Sequence, residues 1–332
     1  MLPLLCENHP AMIGRQLLKR LRENYYAGNT LAAIARPLNY FSQRLSCEIK
    51  RKIKKNGVAI ELPNGRTLRI ARDAGVGVAS LLFWSGLNGF EPYTCRTLRF
   101  FFERSATFVD VGANYGYYSI LGALWNPVLQ VASFEPVPRI YQGLSRNIAL
   151  NGIAERVTAH RVALSDCTGT ATFFLPRGED SDCESTGTLV ADSWQSRKHS
   201  PSFEVETIRF DDFERSHPMK VDLVKIDVED FEAGVLRGMR ETISRDRPFI
   251  VCEILQRAHK NQKTREIVEA LGYTPYWIAS SGCYVRVSHF DFQRESSTDF
   301  LLSPVSVSDE VVTNLEVLWA KRQASAEVSG LV

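Results

Sequence analysis

Hydrophobic and polar residues change their spacing along the chain, and each change predicts a different element. Residues 1–56 repeat apolar side chains at helical spacing, which predicts a helix with one apolar face. That face holds Ile13, Leu17, Leu18 and Leu21. Between Val58 and Ile70 apolar and polar residues alternate around a Pro-Asn-Gly turn, which predicts a β-hairpin. A short helix over 92–103 is predicted to follow.

From residue 105 the chain alternates short apolar runs with amphipathic segments. Strands that alternate with helices predict parallel βαβ units, and so an α/β fold whose open sheet carries helices on both faces. The predicted strands are 107–111, 131–134, 157–162, 221–228 and 249–254, and the predicted helices are 115–125, 139–150 and 232–243.

These patterns divide the chain into four predicted segments. They are a helical segment over 1–56, a hairpin and helix over 57–104, a core domain over 105–304, and a C-terminal helix and tail over 305–332. Ser308 is the predicted cap of the last helix. Residues 177–202 are rich in Ser, Asp, Glu and Gly and interrupt the core, which is typical of a mobile lid or a disordered insertion.

Composition excludes several classes of protein. The 332 residues are 44% hydrophobic and 23% charged, which is ordinary for a globular protein. No run approaches the length of a transmembrane helix, and the first residues lack the pattern of a secretory signal. The seven cysteines form no Cys-x-x-Cys pair, which argues against a zinc ribbon or a disulfide framework. A reducing cytoplasm is the expected compartment.

Positive charge is concentrated near the N-terminus. Residues 1–56 hold eleven Lys or Arg and three Glu, a net charge of +8, so the rest of the chain carries −6. The basic segment is either a solvated helix end or a contact for an anionic membrane surface, a nucleic acid or an acidic partner.

The segment Asp-Val-Gly-Ala-Asn-Tyr-Gly at 110–116 carries the main functional signal. It lies where a buried strand turns into a helix, which is where open α/β sheets bind ligands. Gly112 and Gly116 permit a tight turn and a close approach of ligand to backbone. Glu135 lies nineteen residues after Gly116, at the end of the next strand, where an acid can accept hydrogen bonds from ribose hydroxyls. The glycine turn and Glu135 together predict a nucleoside cofactor.

The polar residues of this turn distinguish between cofactors. A dinucleotide motif reads G-x-G-x-x-G, whereas here Asn114 replaces the middle glycine and Asp110 precedes the first. Asp110 would repel a pyrophosphate but attract the cationic amino and sulfonium groups of S-adenosylmethionine. The turn therefore favours S-adenosylmethionine, and a tight turn without a ligand is the alternative.

Four motifs together resemble the FkbM-type family of class I S-adenosylmethionine-dependent methyltransferases, in register from about Glu91 to Pro304. They are 110–116, Phe-Glu-Pro at 134–136, Ala-Leu-Ser-Asp at 163–166 and Val-Lys-Ile-Asp-Val-Glu at 224–229. The resemblance implies a Rossmann-like, mostly parallel seven-stranded sheet with one antiparallel edge strand, and O-methylation as the usual reaction. Asp230 stands where the family has glycine. Either the turn adopts a left-handed conformation that Asp tolerates, or the acceptor pocket is altered.

The resemblance also implies roles for single residues. Glu135 would hold the ribose, Ser165 and Asp166 would lie beside the adenine, and Asp227 and Glu229 would face the methyl group and acceptor. The residues implied around the methionine portion of the cofactor are Asp110, Gly112, Ala113, Asn114 and Gly116.

An acceptor alcohol needs a base, and a carboxylate within hydrogen-bond reach is expected. Asp227 is the first candidate because it lies at the end of the fourth predicted strand, beside the glycine turn. Glu229, Asp230 and Glu253, which lies near the end of the neighbouring fifth strand, are alternates. Each has a structural alternative. Asp227 could cap the next helix, and Glu253 could pair with Lys225. Glu229 and Asp230 could be acids of the first helical turn that the helix dipole stabilises. A divalent cation held by acids at 227–232 is a further alternative, but their spacing matches no standard loop, so no metal is predicted.

These observations predict a cytoplasmic S-adenosylmethionine-dependent O-methyltransferase. Its acceptor would be a hydroxyl on a sugar, glycan or secondary metabolite, a class that rests on the resemblance. A nucleic-acid methyltransferase guided by the basic N-terminus is one alternative, but the lysines there are not interleaved with stacking aromatics, so nucleic acid is not the expected partner. A non-catalytic scaffold, with Asp230 as a sign of drift, is another. Peripheral membrane contact through 1–56 stays open.

Overall fold

A computed structural model describes residues 57–71, 76–175, 187–190, 202–255, 258–290 and 298–329. These residues belong to two compact units that divide between Phe90 and Glu91, so the predicted segment 57–104 is split between them. The helix predicted over 1–56 lies outside the described residues, so the structure does not test the partners suggested for this basic segment. Most of the predicted insertion at 177–202 also lies outside them.

The first unit contains the predicted hairpin. Strands β1 (Gly57–Glu61) and β2 (Thr67–Ala71) pair antiparallel, with Val58 opposite Ile70 and Ile60 opposite Leu68. These four side chains are buried. Helix α1 (Val76–Ser85) packs against β1. The alternation along the sequence therefore identified the buried face correctly.

The second unit alternates strands and helices. Its strands are β3 (Thr107–Val111), β4 (Gln130–Phe134), β5 (Val157–His160), β6 (Ala163–Leu164), β7 (Gly169–Phe174), β8 (Ser202–Ile208), β9 (Leu223–Ile226), β10 (Phe249–Glu253), β11 (Thr274–Ile278), β12 (Tyr284–Arg286), β13 (Asp299–Ser303) and β14 (Val311–Val312). Its helices are α2 (Pro92–Phe102), α3 (Tyr117–Trp125), α4 (Pro138–Asn151), α5 (Phe210–Ser216), α6 (Glu232–Gly238), α7 (Arg240–Asp246), α8 (Ala258–Ala270) and α9 (Glu316–Ser329).

The described strands form a large sheet in the order β14-β12-β11-β13-β10-β9-β3-β4-β5, and β6, β8 and β7 form a smaller one. From β5 to β10 all neighbours are parallel. The predicted α/β fold with a mostly parallel sheet is confirmed. The predicted seven strands and the edge position of the antiparallel strand are wrong, because β13 runs antiparallel between β10 and β11, and β12 and β14 extend the sheet.

Alternation along the central strands separates the two faces of the sheet. Val109 and Val224 face a core completed by residues of α5 to α8, such as Phe210. Phe108 and its neighbours on the opposite face meet α2 and α3, where Phe102 packs edge-on against Phe108 at 5.1 Å between ring centroids. Helices therefore cover both faces, as predicted.

Two helix predictions need correction. The helix predicted over 232–243 is divided at Met239 into α6 and α7. The last helix is not capped by Ser308 but begins at Glu316, whose N–H is accepted by the Asn314 side chain at 3.0 Å. The preceding β-branched pair, Val311–Val312, instead joins the sheet beside β12. Within the described ranges, no helix combines the length and apolar character needed to cross a bilayer.

Candidate active site

Most of the predicted site residues lie at one edge of the large sheet. Strands β4, β3, β9 and β10 are parallel neighbours, so their carboxyl ends meet at the same edge. Asp110 lies in β3, Glu135 follows β4, Asp227 follows β9 and Glu253 ends β10. Four neighbouring strands therefore each bring one acidic residue to this edge.

The turn after β3 is fixed by backbone contacts on both sides. The N–H groups of Gly112 and Ala113 both donate to the carbonyl of Phe134, each at 3.0 Å. Gly112 has φ 73°, and a Cβ built there would lie 1.9 Å from the carbonyl oxygen of Asp227. Asn114 continues the turn with φ 52°. Gly112 is therefore required because the loop after β9 passes directly against it.

Asp110 is enclosed by the helix that this turn starts. Gly116, with φ 85°, precedes α3, and a Cβ on it would lie 2.3 Å from Leu144 Cδ1. Ser119 of α3 donates to Asp110 Oδ2 and contacts the hydroxyl of Ser133 at 2.7 Å. Burial raises the pKa of Asp110 to about 6, although the bond from Ser119 opposes it. Asp110 is buried, with 2% of the residue exposed, so its charge acts on this edge mainly from beneath the turn.

Glu135 links two loops through its carboxylate. Its Oε2 accepts the N–H of Asn114 at 3.0 Å, and its Oε1 accepts the N–H of Val137 at 2.9 Å. Burial raises the pKa of Glu135 to about 7, partly opposed by these two bonds. A carboxylate oxygen has two lone pairs, so each can still accept a further donor such as a ribose hydroxyl.

A buried lysine organises the acids of β9. Lys225 is 2% exposed and its ammonium donates to Asp227 Oδ2 at 2.8 Å. It also lies 5.0 Å from the centroid of the Tyr118 ring. Burial by itself would lower the pKa of Lys225, but Asp227 and the acids around it hold that pKa above its usual range. Lys225 therefore bonds to Asp227 and not to Glu253, the partner suggested as an alternative. The alternative in which Asp227 caps the next helix is also wrong, because no side chain caps α6.

Three carboxylates meet beside this lysine. One oxygen each from Asp227, Glu229 and Glu253 lie within 4.8 Å of one another, and each residue is partly exposed. Asp227, together with burial, raises the pKa of Glu253 far above its ordinary value. Burial also acts to raise the pKa of Asp227, but Lys225 and Glu253 hold it below its ordinary value. Thr298 donates to Glu253 Oε1 at 2.8 Å.

Two further acids surround Lys225 that the sequence reasoning missed. The Tyr118 hydroxyl donates to Glu91 Oε2 at 2.6 Å, and the Thr94 hydroxyl donates to Asp299 Oδ2 at 2.6 Å. Burial raises the pKa of Glu91 to about 7 and also raises the pKa of Asp299. An acid that begins an apolar strand, as Asp299 does, is a sequence signal for a buried partnered charge.

The loop after β9 is held by a residue of the predicted insertion. Glu229 and Asp230 have φ 52° and 80°, which confirms the left-handed conformation suggested for Asp230 in place of the family glycine. The N–H of Asp230 donates to Glu232 Oε1 at 2.9 Å. Thr188, fully buried, donates its hydroxyl to the carbonyl of Glu229, and its backbone pairs with Phe174. The sequence alone gave no sign of this contact.

The residues predicted beside the adenine lie next to α6. Ser165 is buried and its N–H donates to the carbonyl of Ile208 at 3.0 Å. Asp166 Oδ2 accepts two hydrogen bonds from Arg237, at 3.1 and 2.9 Å. A Cβ on Gly238 would lie 1.9 Å from the carbonyl oxygen of Ser165. The helix that begins after the 227–231 loop therefore ends against Ser165 and Asp166.

The buried acids predict an unusual dependence of stability on pH. Burial raises the pKa values of Asp110, Glu135 and Glu232 to about 6, 7 and 8. The folded protein therefore binds more protons than the unfolded chain between these values and the ordinary ones near 4. Since that stabilisation is lost as the pH rises through the folded pKa values, we expect the free energy of unfolding to fall by at least about 2 kcal/mol between pH 5 and 8.

Chemical denaturation of the ligand-free protein at several pH values would measure this slope. Replacing Glu232 by Gln is the control, since it removes one titrating group and should flatten the slope near pH 8. A free energy of unfolding that stays level or rises from pH 5 to 8 would contradict the prediction.

The chain is similar to known methyltransferases. The model of the methyltransferase FkbM domain family matches residues 110–275. The methyltransferase sdnD of Sordaria araneosa is 32% identical over 155 residues, and methyltransferase 1 of Beauveria bassiana is 27% identical over 150. The matches cover 40% and 42% of this chain and 60% of each relative. A methyltransferase FkbM structure from Methylobacillus flagellatus is 18% identical over 60% of this chain and 43% of its own, with a TM-score of 0.40.

Proposed function

Because the chain belongs to the methyltransferase FkbM domain family, we propose that it transfers a methyl group from S-adenosylmethionine to a hydroxyl of a sugar, glycan or secondary metabolite. The observation that carries this proposal is the row of acids at the ends of β3, β4, β9 and β10, with Lys225 buried among them. The chain spans about 60% of the length of its two curated relatives, so the acceptor is proposed from this site.

The side chains at this edge match the chemistry of the cofactor. Asp110 and Asp227 supply negative charge for a ligand with a sulfonium and an amino group, and a pyrophosphate would be repelled. Glu135 can accept the two ribose hydroxyls while it keeps its bonds to the backbone. Asp166 accepts a hydrogen bond from Arg237 near the end of α6, and the family resemblance suggests that the adenine would lie beside it.

The acids after β9 and in β10 would handle the acceptor proton. S-adenosylmethionine, when bound, supplies a methyl group already activated on sulfur. The acceptor hydroxyl must be aligned with that carbon and must lose its proton as its oxygen forms the new C–O bond. Lys225 and Glu253 hold the pKa of Asp227 below its ordinary value, so Asp227 is the carboxylate that can accept the proton which the hydroxyl releases. Glu229 lies close enough to orient the same hydroxyl.

The charge of this edge also bears on the alternative acceptor. A nucleic acid would bring phosphates beside Asp227 and Glu229, and the repulsion between like charges disfavours its binding. A neutral acceptor rich in hydroxyls meets no such penalty, because carboxylates accept hydrogen bonds from hydroxyls. The site therefore favours a polyhydroxylated acceptor over a nucleic acid.

Replacing Glu135 by Gln is expected to weaken binding of S-adenosylmethionine by about 1–3 kcal/mol, because the amide loses a charged acceptor for the ribose hydroxyls. Calorimetric titration of wild type and variant with S-adenosylmethionine and S-adenosylhomocysteine would measure this loss. The expected loss is similar for both ligands, since both carry the ribose. An unchanged affinity in the folded variant would rule out the ribose role.

Release of S-adenosylhomocysteine in the presence of polyhydroxylated acceptors tests the reaction itself. We expect turnover that Asp227→Asn reduces at least about 100-fold, as removal of a general base does. Absence of binding of either ligand at millimolar concentration would defeat the proposal. Cofactor binding without turnover on any acceptor would favour the scaffold alternative.

A further inference from the structure

A cleft of about 920 Å³ lies at the edge of the large sheet opposite the candidate active site. Two of its lining residues, Asp222 and Arg247, precede β9 and β10, and Val305 follows the antiparallel β13. Helix α9 contributes Trp319 and Arg322. None of the described lining residues belongs to the candidate active site, so the cleft is a separate feature of the second unit.

Three acids line the cleft, and each is held by hydrogen bonds within the fold. Glu214 accepts the N–H of Met219 at 3.3 Å and an N–H of Arg245 at 3.1 Å. Asp222 Oδ2 accepts the N–H groups of Ala106 and Thr107 at 2.9 and 3.2 Å. Asp246, with a side chain only 5% exposed, accepts the N–H of Val221 at 2.8 Å. These bonds are structural, since they join the starts of β3 and β9 to neighbouring loops. Little of the negative charge therefore faces the open space of the cleft.

Two arginines form a rigid cationic wall. Arg247 donates to three carbonyl oxygens, those of Leu271, Gly272 and Pro304, at 2.6 to 2.9 Å. Arg322 has a side chain 11% exposed, donates to the carbonyls of Arg247 and Asp246, and lies 3.9 Å from Asp222 Oδ1. Asp222 offsets part of the charge of Arg322. The carbonyl groups orient the guanidinium of Arg247 without cancelling its charge, and no carboxylate of the described residues pairs with it. Burial lowers the pKa of Arg322, as expected for a cation that has lost much of its water.

The rim and floor of the cleft add further features. Lys220 is exposed, and its ammonium has no hydrogen-bond or ion-pair partner among the described residues. Arg245 pairs with Asp246 and yet keeps a side chain 47% exposed. The partly exposed Trp319 ring stacks on Phe249 at 5.9 Å between centroids. The cleft therefore combines the hydrogen-bonded guanidinium of Arg247 and the exposed ammonium of Lys220 with the aromatic ring of Trp319.

We propose that this cleft binds a small organic anion in which a phosphate or carboxylate is attached to a planar apolar group. A guanidinium held in one orientation suits the paired oxygens of such an anion, and the face of Trp319 suits a planar group. Lys220 is free to contribute a second charge once the ligand is bound. The inference is independent of the proposed methyl transfer, because it uses the opposite edge of the sheet.

Titration of the full chain with phenyl phosphate and with benzoate tests the proposal, with saturation-transfer NMR as the readout. We expect millimolar binding that saturating S-adenosylhomocysteine leaves unchanged, and at least about tenfold weaker binding of phenol and of inorganic phosphate, each of which lacks one feature. Tighter binding of phenyl phosphate than of benzoate assigns a phosphate ligand, and the reverse order assigns a carboxylate.

A pair of charge reversals locates the site. Lys220→Glu is expected to weaken phenyl phosphate binding at least about tenfold, because it places a like charge beside the anion. Lys321→Glu changes the net charge equally on an exposed α9 lysine that does not line the cleft, and is expected to leave binding within about twofold. Equal effects of the two variants, displacement by S-adenosylhomocysteine, or absence of binding by both anions would overturn the proposal.

Discussion

Replacing Gly112 with alanine is expected to destabilise the second unit by about 2–5 kcal/mol and to abolish cofactor binding. Part of the cost is conformational, since φ is 73°, where a side chain costs about 1–2 kcal/mol. The rest is steric, because the new Cβ would lie 1.9 Å from the carbonyl oxygen of Asp227. Relief of this overlap has to move backbone, either the turn after β3 or the loop after β9, and both belong to the candidate active site.

Gly152→Ala provides the matched control for Gly112→Ala. Gly152 has φ 65°, but a Cβ there would meet nothing within 4 Å. It therefore isolates the conformational cost, which we expect to be about 1 kcal/mol. Chemical denaturation and calorimetric titration with S-adenosylhomocysteine would compare the two variants. Equal losses of stability at the two positions would show that the approach of Asp227 to the turn is not close.

Lys225→Met is expected to cost about 3–5 kcal/mol of stability at pH 8 and to remove activity. Removing one partner of a buried ion pair leaves the other charge without compensation. Here Asp227 loses its hydrogen bond, and Asp299 and Glu91 lose a nearby cation. Methionine is close in size to lysine, so the loss of stability in this variant measures mainly the removal of the positive charge.

The sign of the pH dependence tests this explanation of the Lys225→Met loss. Without the ammonium, the pKa of Asp227 in the folded state must rise from its lowered value, and those of Glu91 and Asp299 must rise further above the unfolded values. Stability should therefore recover as the pH is lowered from 8 to 6, more steeply than in the wild type. Lys321→Met, at an exposed position of α9, should change stability by less than about 0.5 kcal/mol. A loss that does not depend on pH would indicate lost packing instead of lost charge.

The sequence allowed prediction of those parts of the fold that are determined locally. The alternation at Val58 to Ile70 and the apolar run at 107–111 each place a strand where the structure has one. The acids Asp110, Glu135, Asp227 and Glu253 each lie at or near the end of a predicted strand, and they meet because these strands are parallel neighbours that end at a common edge.

What the sequence did not predict depends on contacts between distant residues. The insertion of β13 between β10 and β11 is a matter of topology, and its apolar pattern is equally compatible with an edge position. The contact of Thr188 with Glu229 joins residues 41 apart, and a single threonine in a polar segment carries no pattern. Lys225 was recognised as needing a partner, but a choice between Asp227 and Glu253 requires the geometry of both strands.

The position of β13 has a consequence for how the chain is made. Residues 299–303 fill the space between two strands that leave the ribosome much earlier, β10 and β11. Until they emerge, the nascent chain has two unpaired strand edges facing each other, which are open to pairing with other chains. Asp299, one of the acids around Lys225, arrives with the same strand. The same strand therefore closes the gap between β10 and β11 and completes the charged centre around Lys225.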